Sequence, residues 1–494
     1  MNIVVLGAGT AGLVTSLMIR EKYPSATITI VKSGEIGIVG VGEGSTEQWA
    51  QFMDFVGIDV LELLYETRAT VKIGILFKGW GSNSEYVHSV TGFNLSALNR
   101  PEIYNHLYLS NDSKIFPLTP GFKDIYYKNL VPLTPGFRPS NQYHFDTFKL
   151  GEYLIKKCTE RSINVIDAKV FDATLDSRGY IQELITDKEN IVGDLFIDCS
   201  GFKRVLSSKL NNKWVSKSRY LPLNRAIAFP TEFDTPDDIE PYTTSTALSA
   251  GWAWKIPTRD RYGNGYVFNT NYTDSDKALG ELSCLLGKKV EKFARDIPFE
   301  AGKIDKFWLN NVISVGLSGS FAEPLEAQSI GFTILQAKAL INYLDSWPYN
   351  NNVSNKFNNE MDEIFNNIVD YLQLHYLGDR RDSKFWQDKP FELTDFIKEN
   401  LPLFKRGIIE PSLFKTDFMF QTANWYQVLA GLNLIDKGLL RKNLDYNRQT
   451  YNSLFAKQAE DALVNIRYSS ICTHREYLNI TRDNLMFRKR LNES

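Results

Sequence analysis

Near its start the chain runs Ile3-Val4-Val5-Leu6 with no polar position alternating in it, which predicts a strand buried on both faces. After a glycine turn, Leu13, Leu17 and Ile19 recur at helical spacing between Ala11 and Tyr23, and Pro24-Ser25 ends that pattern. Thr27 to Val31 is apolar again, so the opening reads as strand, helix, strand, the unit that builds a parallel sheet. Further buried strands are predicted at Asp194 to Cys199 and Val312 to Leu317, each closed by Ser-Gly or Gly-Ser turn residues. Helical spacing returns at Asp146 to Glu160 and at Ile330 to Leu344. Past residue 350 the strand signals thin out, and Phe357 to Leu374 and Phe391 to Leu403 read as helices. A boundary near Pro348-Tyr349-Asn350 therefore separates a core, 1–349, from a mainly helical C-terminal subdomain, 350–494, packed on it. Trp80 to Phe145 is rich in Pro, Gly and aromatics with little periodicity, and so long a stretch is expected to cover a functional site.

Composition removes several classes. With 494 residues, 43% of them hydrophobic, the chain can bury a large core. Lys+Arg 56 against Asp+Glu 58 leaves a net charge of -2, so no overall field draws in nucleic acid or an acidic membrane. Arg488-Lys489-Arg490 reads as a solvated tail. Cys158, Cys199, Cys284 and Cys472 are scattered without a C-x-x-C pair, which argues against a metal site or a disulfide framework and for a cytoplasmic setting. There is no basic leader, and no apolar run approaches the roughly 20 residues that span a bilayer, so neither secretion nor membrane insertion is expected.

Gly7-Ala8-Gly9-Thr10-Ala11-Gly12 lies between the first predicted strand and helix, the context in which G-x-G-x-x-G spacing carries meaning. The first glycine permits the tight turn, the second lets backbone approach a pyrophosphate, and the third lets the helix pack closely. The phosphate would sit on the positive end of the helix, which makes Gly7, Gly9, Thr10, Ala11 and Gly12 candidate cofactor-binding residues. The acid expected to end the second strand and hold a ribose hydroxyl is replaced by Lys32-Ser33. Glu35 and Glu43 are substitutes, each equally readable as a surface carboxylate. The later turns Asp198-Cys199-Ser200-Gly201 and Gly316-Leu317-Ser318-Gly319 favour FAD over NAD, because similar turns in flavin monooxygenase folds meet the pyrophosphate and the flavin. Many flavin hydroxylases carry Asp where Leu317 stands, which weighs against an ordinary hydroxylase.

Gly251-Trp252-Ala253-Trp254-Lys255-Ile256-Pro257 resembles the W-x-W-x-I-P signature of the flavin-dependent tryptophan halogenase family; the plain alternative is a core strand with two aromatics on one face. Gly40-Val41-Gly42-Glu43, Ala69-Thr70-Val71-Lys72-Ile73-Gly74, Tyr143-His144-Phe145-Asp146, Asp198-Cys199-Ser200-Gly201-Phe202, Glu323-Pro324-Leu325-Glu326, and His375-Tyr376 followed by Asp382-Ser383-Lys384-Phe385-Trp386 resemble the family in the same order. The resemblance implies an α/β fold with a doubly wound FAD-binding domain of the flavin monooxygenase and glutathione-reductase kind, an additional sheet and a mostly helical C-terminal substrate subdomain. It also implies FAD, used as FADH2, supplied by a separate NAD(P)H-dependent flavin reductase, since no second dinucleotide fingerprint is evident. Lys72, rather than Lys78, maps onto the catalytic lysine and Glu326 onto the catalytic glutamate. Gly42, Glu43, Val170, Gly316 and Ile330 map to the cofactor, Trp252, Trp254, Ile256 and Pro257 to a flavin-side wall, Gln328 and Ser329 to the halide, and His88 to the substrate's surroundings.

The implied chemistry needs an ammonium to hold and polarise hypohalous acid, and a carboxylate to steady the arenium cation and take its proton; both act best in a dry pocket. Without the resemblance, Lys72 reads as a surface lysine, Glu326 as a charge favoured by the following helix, and His88 as a loop histidine. Where tryptophan-specific members read Ser-Thr after the glutamate, this chain reads Ala327-Gln328-Ser329-Ile330, from which tolerance for bromide or iodide over chloride is expected. Residues that clamp free tryptophan are not recognisable, and Tyr126-Tyr127 reads as packing. The expectation is a halogenase for a small electron-rich aromatic such as an indole or phenol, a broad-substrate member resembling the phage-encoded kind, working with halide and oxygen as a homo-oligomer. The alternatives are a flavin-dependent aromatic hydroxylase and a non-catalytic flavin-binding protein.

Overall fold

The computed structural model describes residues 1–34, 43–89, 101–110, 126–133, 142–233, 238–290, 295–348, 352–446 and 470–493. By compactness the chain divides into two units, each assembled from three segments. The first takes Met1–Arg68, Phe145–Lys217 and Glu300–Asn366; the second takes Ala69–His144, Ser218–Phe299 and Asn367–Ser494.

Among the described residues the first unit carries a six-stranded sheet in the order Trp308–Leu309, Val312–Ser314, Leu195–Asp198, Asn2–Leu6, Thr27–Lys32, Asn164–Asp167. All neighbours are parallel except the first pair. Ile3 sits opposite both Leu195 and Ile28, so the opening strand is central, and Ile3, Val4 and Val5 are fully buried. On one face the Thr10–Lys22 helix packs with the Thr147–Glu160 and Gln328–Tyr343 helices. On the other, Val4, Leu6, Val31 and Phe196 pack against Ala173, Ile181 and Leu184 of a small antiparallel sheet. Cover on both faces is why the parallel strands read as unbroken apolar runs. The 147–160 helix starts where Asp146 accepts from the N–H groups of Phe148 and Lys149, a side-chain cap worth about 1 kcal/mol.

The second unit holds, among the described residues, a seven-stranded sheet in the order Arg295–Pro298, Arg225–Thr231, Tyr262–Phe268, Gly251–Pro257, Thr243–Leu248, Gly74–Lys78, Glu85–Ser89. Only Thr243–Leu248 against Gly74–Lys78 is parallel. Ile227, Phe229, Ala253, Tyr266 and Phe268 bury one face under Ala278 and Leu282 of the Ser275–Leu286 helix. Helices Val353–His375, Lys384–Asp388, Asp395–Phe404, Thr422–Gly431, Lys437–Tyr446 and His474–Glu493 are the described α-helices of the C-terminal part. Arg488, Lys489 and Arg490 lie exposed on the last of these. No described helix is long and apolar enough to cross a membrane.

The stretch 80–145 is less irregular than its composition suggests. Its described parts are the Glu85–Ser89, Leu130–Leu133 and Gln142–Phe145 strands and the Pro101–Ser110 helix; residues 90–100, 111–125 and 134–141 lie outside the described residues. Short strands that pair with distant segments leave little periodicity of their own.

Candidate active site

The candidate residues fall in both units, and each group takes its geometry from its own unit. In the first, the turn after Asn2–Leu6 has Gly7 at φ +114°, and a Cβ there would meet the Cys199 carbonyl oxygen at 2.3 Å. A Cβ on Gly12 would lie 2.0 Å from the Gly7 carbonyl oxygen, whereas one on Gly9 would meet nothing within 4 Å. The chain itself therefore demands glycine at positions 7 and 12, while position 9 is open to whatever approaches from outside. The Thr10–Lys22 helix begins there with no side-chain cap and no acid in its first turn, so its leading N–H groups face outward as anion donors. Thr10 Oγ1 donates to Glu43 at 3.4 Å, and burial pushes the Glu43 carboxyl up to about 7 against that hydrogen bond. Glu43 is half-buried, with its carboxyl desolvated rather than freely hydrated. At the end of the second strand Lys32 pairs with Asp167, which also accepts from the Gly34 N–H. Glu35 and Gly42 lie outside the described residues.

Asp198 is fully buried and accepts from the N–H groups of Ser200, Leu206 and Ser207 and the hydroxyls of Ser200 and Ser207. Its carboxylate knots the turn together, a role that sequence reading did not separate from cofactor contact. Gly316 opens the turn Gly316–Ser318 and donates its N–H to Gln336 Oε1 at 3.0 Å. Val170 starts the small antiparallel sheet and is partly buried, and Ile330 is buried.

Glu326 is 3% exposed. Ala327 follows in the left-handed region, φ 55°, as the uncapped start of the Gln328–Tyr343 helix, which carries no acid in its first turn. The Gln328 side chain is buried and bends back to donate to the Glu323 carbonyl at 2.8 Å. The leading N–H groups, among them those of Gln328 and Ser329, have no intrahelical acceptors.

In the second unit Lys72 ends the Thr70–Lys72 strand and is 1% exposed, whereas Lys78 is exposed. A buried ammonium is costly unless the surroundings compensate it, which removes the surface-lysine alternative. The strand pairs antiparallel with Gln142–Phe145, matching Thr70 to His144 and Lys72 to Gln142. The Thr70 hydroxyl donates to the Pro257 carbonyl at 2.7 Å, tying this strand to the end of the Trp-x-Trp segment. That proton being used, Thr70 can only accept from His144 Nδ1 at 3.3 Å, and His144 Nε2 lies 2.8 Å from the Thr243 hydroxyl. Burial, then Lys72 and His474, hold the His144 pKa well below the usual histidine value, which keeps the ring neutral. His474 Nε2 accepts the Val71 N–H at 3.0 Å, and its Nδ1 lies 3.2 Å from the Ile239 carbonyl. Burial lowers its pKa to about 3, Arg259 and Arg475 adding to the fall and the backbone of Ile239 and Glu240 opposing it.

Trp252 and Trp254 share one face of the Gly251–Pro257 strand. Trp252 is 1% exposed and packs near Trp80, which sits edge-on to Tyr376 and Trp386. Trp254 is half-buried, its indole so close over Gly265 that a Cβ there would overlap the ring. Ile256 and Pro257 are buried.

His88 is not a loop residue. It lies on the Glu85–Ser89 strand, 3% exposed, with Asn424 Nδ2 at 3.2 Å from Nε2 and the Tyr371 hydroxyl at 3.4 Å from either ring nitrogen. Gln427 holds the next residue at both backbone groups, accepting the Ser89 N–H and donating to its carbonyl. Tyr126 is buried, stacked on Tyr242 and donating to the Ile73 carbonyl, while Tyr127 is exposed, which is the packing expected of that pair. Asn424, Gln427, Tyr371 and His474 carried no signal in the sequence reading, although Thr473 and Glu476 stand at capping-box spacing around His474.

The sequence profile of the tryptophan halogenase family matches residues 2–442. The chain belongs to the tryptophan halogenase family. This halogenase is 28% identical over 486 residues to the tryptophan 6-halogenase ThaL of Streptomyces albogriseolus, covering 89% of this chain and 90% of that one. It is 27% identical over 479 residues to the tryptophan 7-halogenase RebH of Lentzea aerocolonigenes, covering 88% and 90%. Among solved structures, Tar14, a tryptophan C-6 flavin-dependent halogenase from taromycin biosynthesis, superposes with TM-score 0.86 at 25% identity over 97% of this chain and 99% of that one. A tryptophan halogenase from Shewanella frigidimarina shares the fold at TM-score 0.85 and 24% identity, covering 98% of each. The enzyme is thus a flavin-dependent halogenase with FAD, as FADH2, for cofactor, and such enzymes draw it from a separate flavin reductase. The open approach to Gly9, the uncapped helix behind it and the half-buried Glu43 fit a dinucleotide.

Proposed function

We propose that this halogenase places bromine or iodine on a small electron-rich aromatic, an indole or phenol, using Lys72 and Glu326 as its two reacting side chains. The observation that carries the proposal is Lys72, an almost fully buried lysine on a strand whose neighbouring histidines are neutral. Bound at the Gly7 to Gly12 turn, with Thr10, Ala11, Glu43, Val170, Gly316 and Ile330 as the remaining contacts and Gly42 among them, reduced FAD supplies the electrons with which oxygen and halide yield hypohalous acid. The Trp252, Trp254, Ile256 and Pro257 strand forms a wall that keeps the aromatic from the flavin. The Lys72 ammonium donates a hydrogen bond to hypohalous acid and polarises its oxygen–halogen bond. As the aromatic carbon takes the halogen, the oxygen leaves as water with a proton from the ammonium. Glu326, whose burial suits it to facing a cation, steadies the arenium ion and accepts the ring proton. His88, held by Asn424 and Tyr371, orients the substrate.

The halide reading rests on Gln328. Its side chain is turned onto the Glu323 carbonyl, leaving the backbone N–H groups of Gln328 and Ser329 as the directed donors. With few donors, the cost of stripping water from the anion weighs more, which favours bromide and iodide. Equal chloride and bromide in competition should give mainly brominated product; mainly chlorinated product would refute this.

The test of the main reading is the full chain with FADH2, oxygen and bromide on a panel of indoles and phenols, read by mass spectrometry. Lys72→Ala and Glu326→Gln should each lower product formation by about a hundredfold or more while FAD still binds. A Lys72→Ala enzyme that brominates at the unaltered rate overturns the assignment.

A further inference from the structure

The family match ends at residue 442, yet a side chain 32 positions later reaches the strand that carries Lys72. Strand Ser470–Thr473 pairs antiparallel with Leu130–Leu133, placing Thr473 opposite Leu130. At the start of the His474–Glu493 helix, the Thr473 N–H and hydroxyl both donate to Glu476 Oε2, and the Glu476 N–H donates back to the Thr473 hydroxyl. This reciprocal capping fixes the first turn of a 20-residue helix. The His474 N–H donates to the Asn129 carbonyl at 3.1 Å, so residue 474 is held on both sides. Its ring is 1% exposed.

The imidazole faces two backbone groups whose roles cannot change. The Val71 N–H can only donate and the Ile239 carbonyl can only accept, so Nε2 is the acceptor, 3.0 Å from Val71, and Nδ1–H the donor, 3.2 Å from the Ile239 oxygen. Thr70–Lys72 is the terminal strand of its small sheet. Its outward Val71 N–H, one residue before Lys72, is therefore satisfied by a side chain rather than by another strand. Titratable and charged groups around the ring include His144, Arg259 and Arg475. Two of these are cations, so a neutral imidazole suits the place and a charged one would also turn an N–H toward the Val71 N–H.

We propose that His474 is a positioning residue for Lys72, so that the segment after the family match completes the halogen-transfer machinery. The inference rests on the role of Lys72 given above. A small shift of a reacting group costs as much as a hundredfold in rate, and the Val71 bond lets the C-terminal segment act on the residue next to the lysine. Fixing the backbone at Val71 limits the strand's slide along the Gln142–Phe145 strand, and the Thr70 hydroxyl bond to Pro257 limits it on the other side.

Three full-length FAD-loaded enzymes distinguish the possibilities: His474→Leu, which removes both hydrogen bonds; His474→Gln, which keeps an acceptor and a donor and cannot be charged; and Lys72→Ala. Each is measured for FAD affinity by flavin fluorescence, for hypobromous acid released to a β-diketone trap, and for bromination of an indole. In His474→Leu, FAD affinity and oxidant formation should stay within about twofold while indole bromination falls about tenfold or more, and in His474→Gln bromination should return to within about threefold of the original. Leu and Gln variants that lose equally, a Leu variant that brominates normally, or losses of FAD binding and bromination in the same proportion would each overturn the proposal. If Lys72→Ala brominates normally, the lysine reading fails whatever His474 does; if only the Lys72 variant fails, the fault lies with His474.

Discussion

Acid should destabilise this enzyme through its two neutral buried histidines, with a magnitude that follows from where they titrate. His474 has a folded-state pKa of about 3 against 6.5 when unfolded. Between those values the unfolded chain binds a proton that the folded one does not, so stability rises with pH there and falls as pH drops below 6.5. The slope is about 1.4 kcal/mol per pH unit, so lowering the pH from 6.5 to about 5 should remove about 2 kcal/mol through His474 alone. His144, lowered in the same direction by burial, Lys72 and His474, adds to the loss in the same window. Glu43 acts in the opposite sense. Its carboxyl is raised to about 7 from 4.5, so between those values the folded state holds the extra proton, and its contribution becomes less unfavourable as pH falls. The sum is blurred, but the difference between the original chain and His474→Gln is not, because glutamine leaves Glu43 and most of the surroundings unchanged. Urea unfolding of both at about pH 7 and pH 5 should show the original losing about 2 kcal/mol more than the variant over that interval. Equal losses would refute the assignment of His474 as a neutral acceptor.

Three further perturbations follow from the first unit. Gly9→Ala should lower stability in urea by no more than about 1 kcal/mol, the cost of a poorer helix cap, because its Cβ meets nothing within 4 Å, while FAD affinity measured by fluorescence falls about tenfold or more. Gly12→Ala should instead unfold more readily, by about 3 kcal/mol, since its Cβ would sit 2.0 Å from the Gly7 carbonyl oxygen. Asp198→Ala strands five donors at once and should cost at least about 3 kcal/mol in urea unfolding.

What was legible in the sequence follows from how each part is buried. Ile3 to Leu6, Leu195 to Asp198 and Val312 to Ser314 stand between layers on both faces, so their apolar runs are unbroken and the opening strand, helix and strand were readable. The seven-stranded sheet was not, beyond the Trp-x-Trp segment. Its Tyr262–Phe268 strand contains Gly263-Asn264-Gly265, which a local reading takes for a turn, although the middle of that strand is fully buried. His88 follows Ser82-Asn83-Ser84, a loop-like run, and only pairing with Ile75 makes it a strand residue. The burial of Lys72 leaves no trace in a three-residue strand; family likeness alone singled it out from Lys78. The Thr473 and Glu476 spacing around His474 could have been read as a helix start, but its contact with Val71 spans 403 positions and no local pattern encodes it.

The strand order of the first sheet also governs synthesis. Asn2–Leu6 is made long before its partners on one side, Leu195–Asp198 and, beyond that, Val312–Ser314. At 5–20 residues per second, roughly 15 to 60 seconds separate the emergence of the first strand from that of the last. Throughout that interval an apolar strand edge waits without its neighbours, in the situation that invites aggregation, so yield during expression should depend on translation speed and on chaperones that shield that nascent strand.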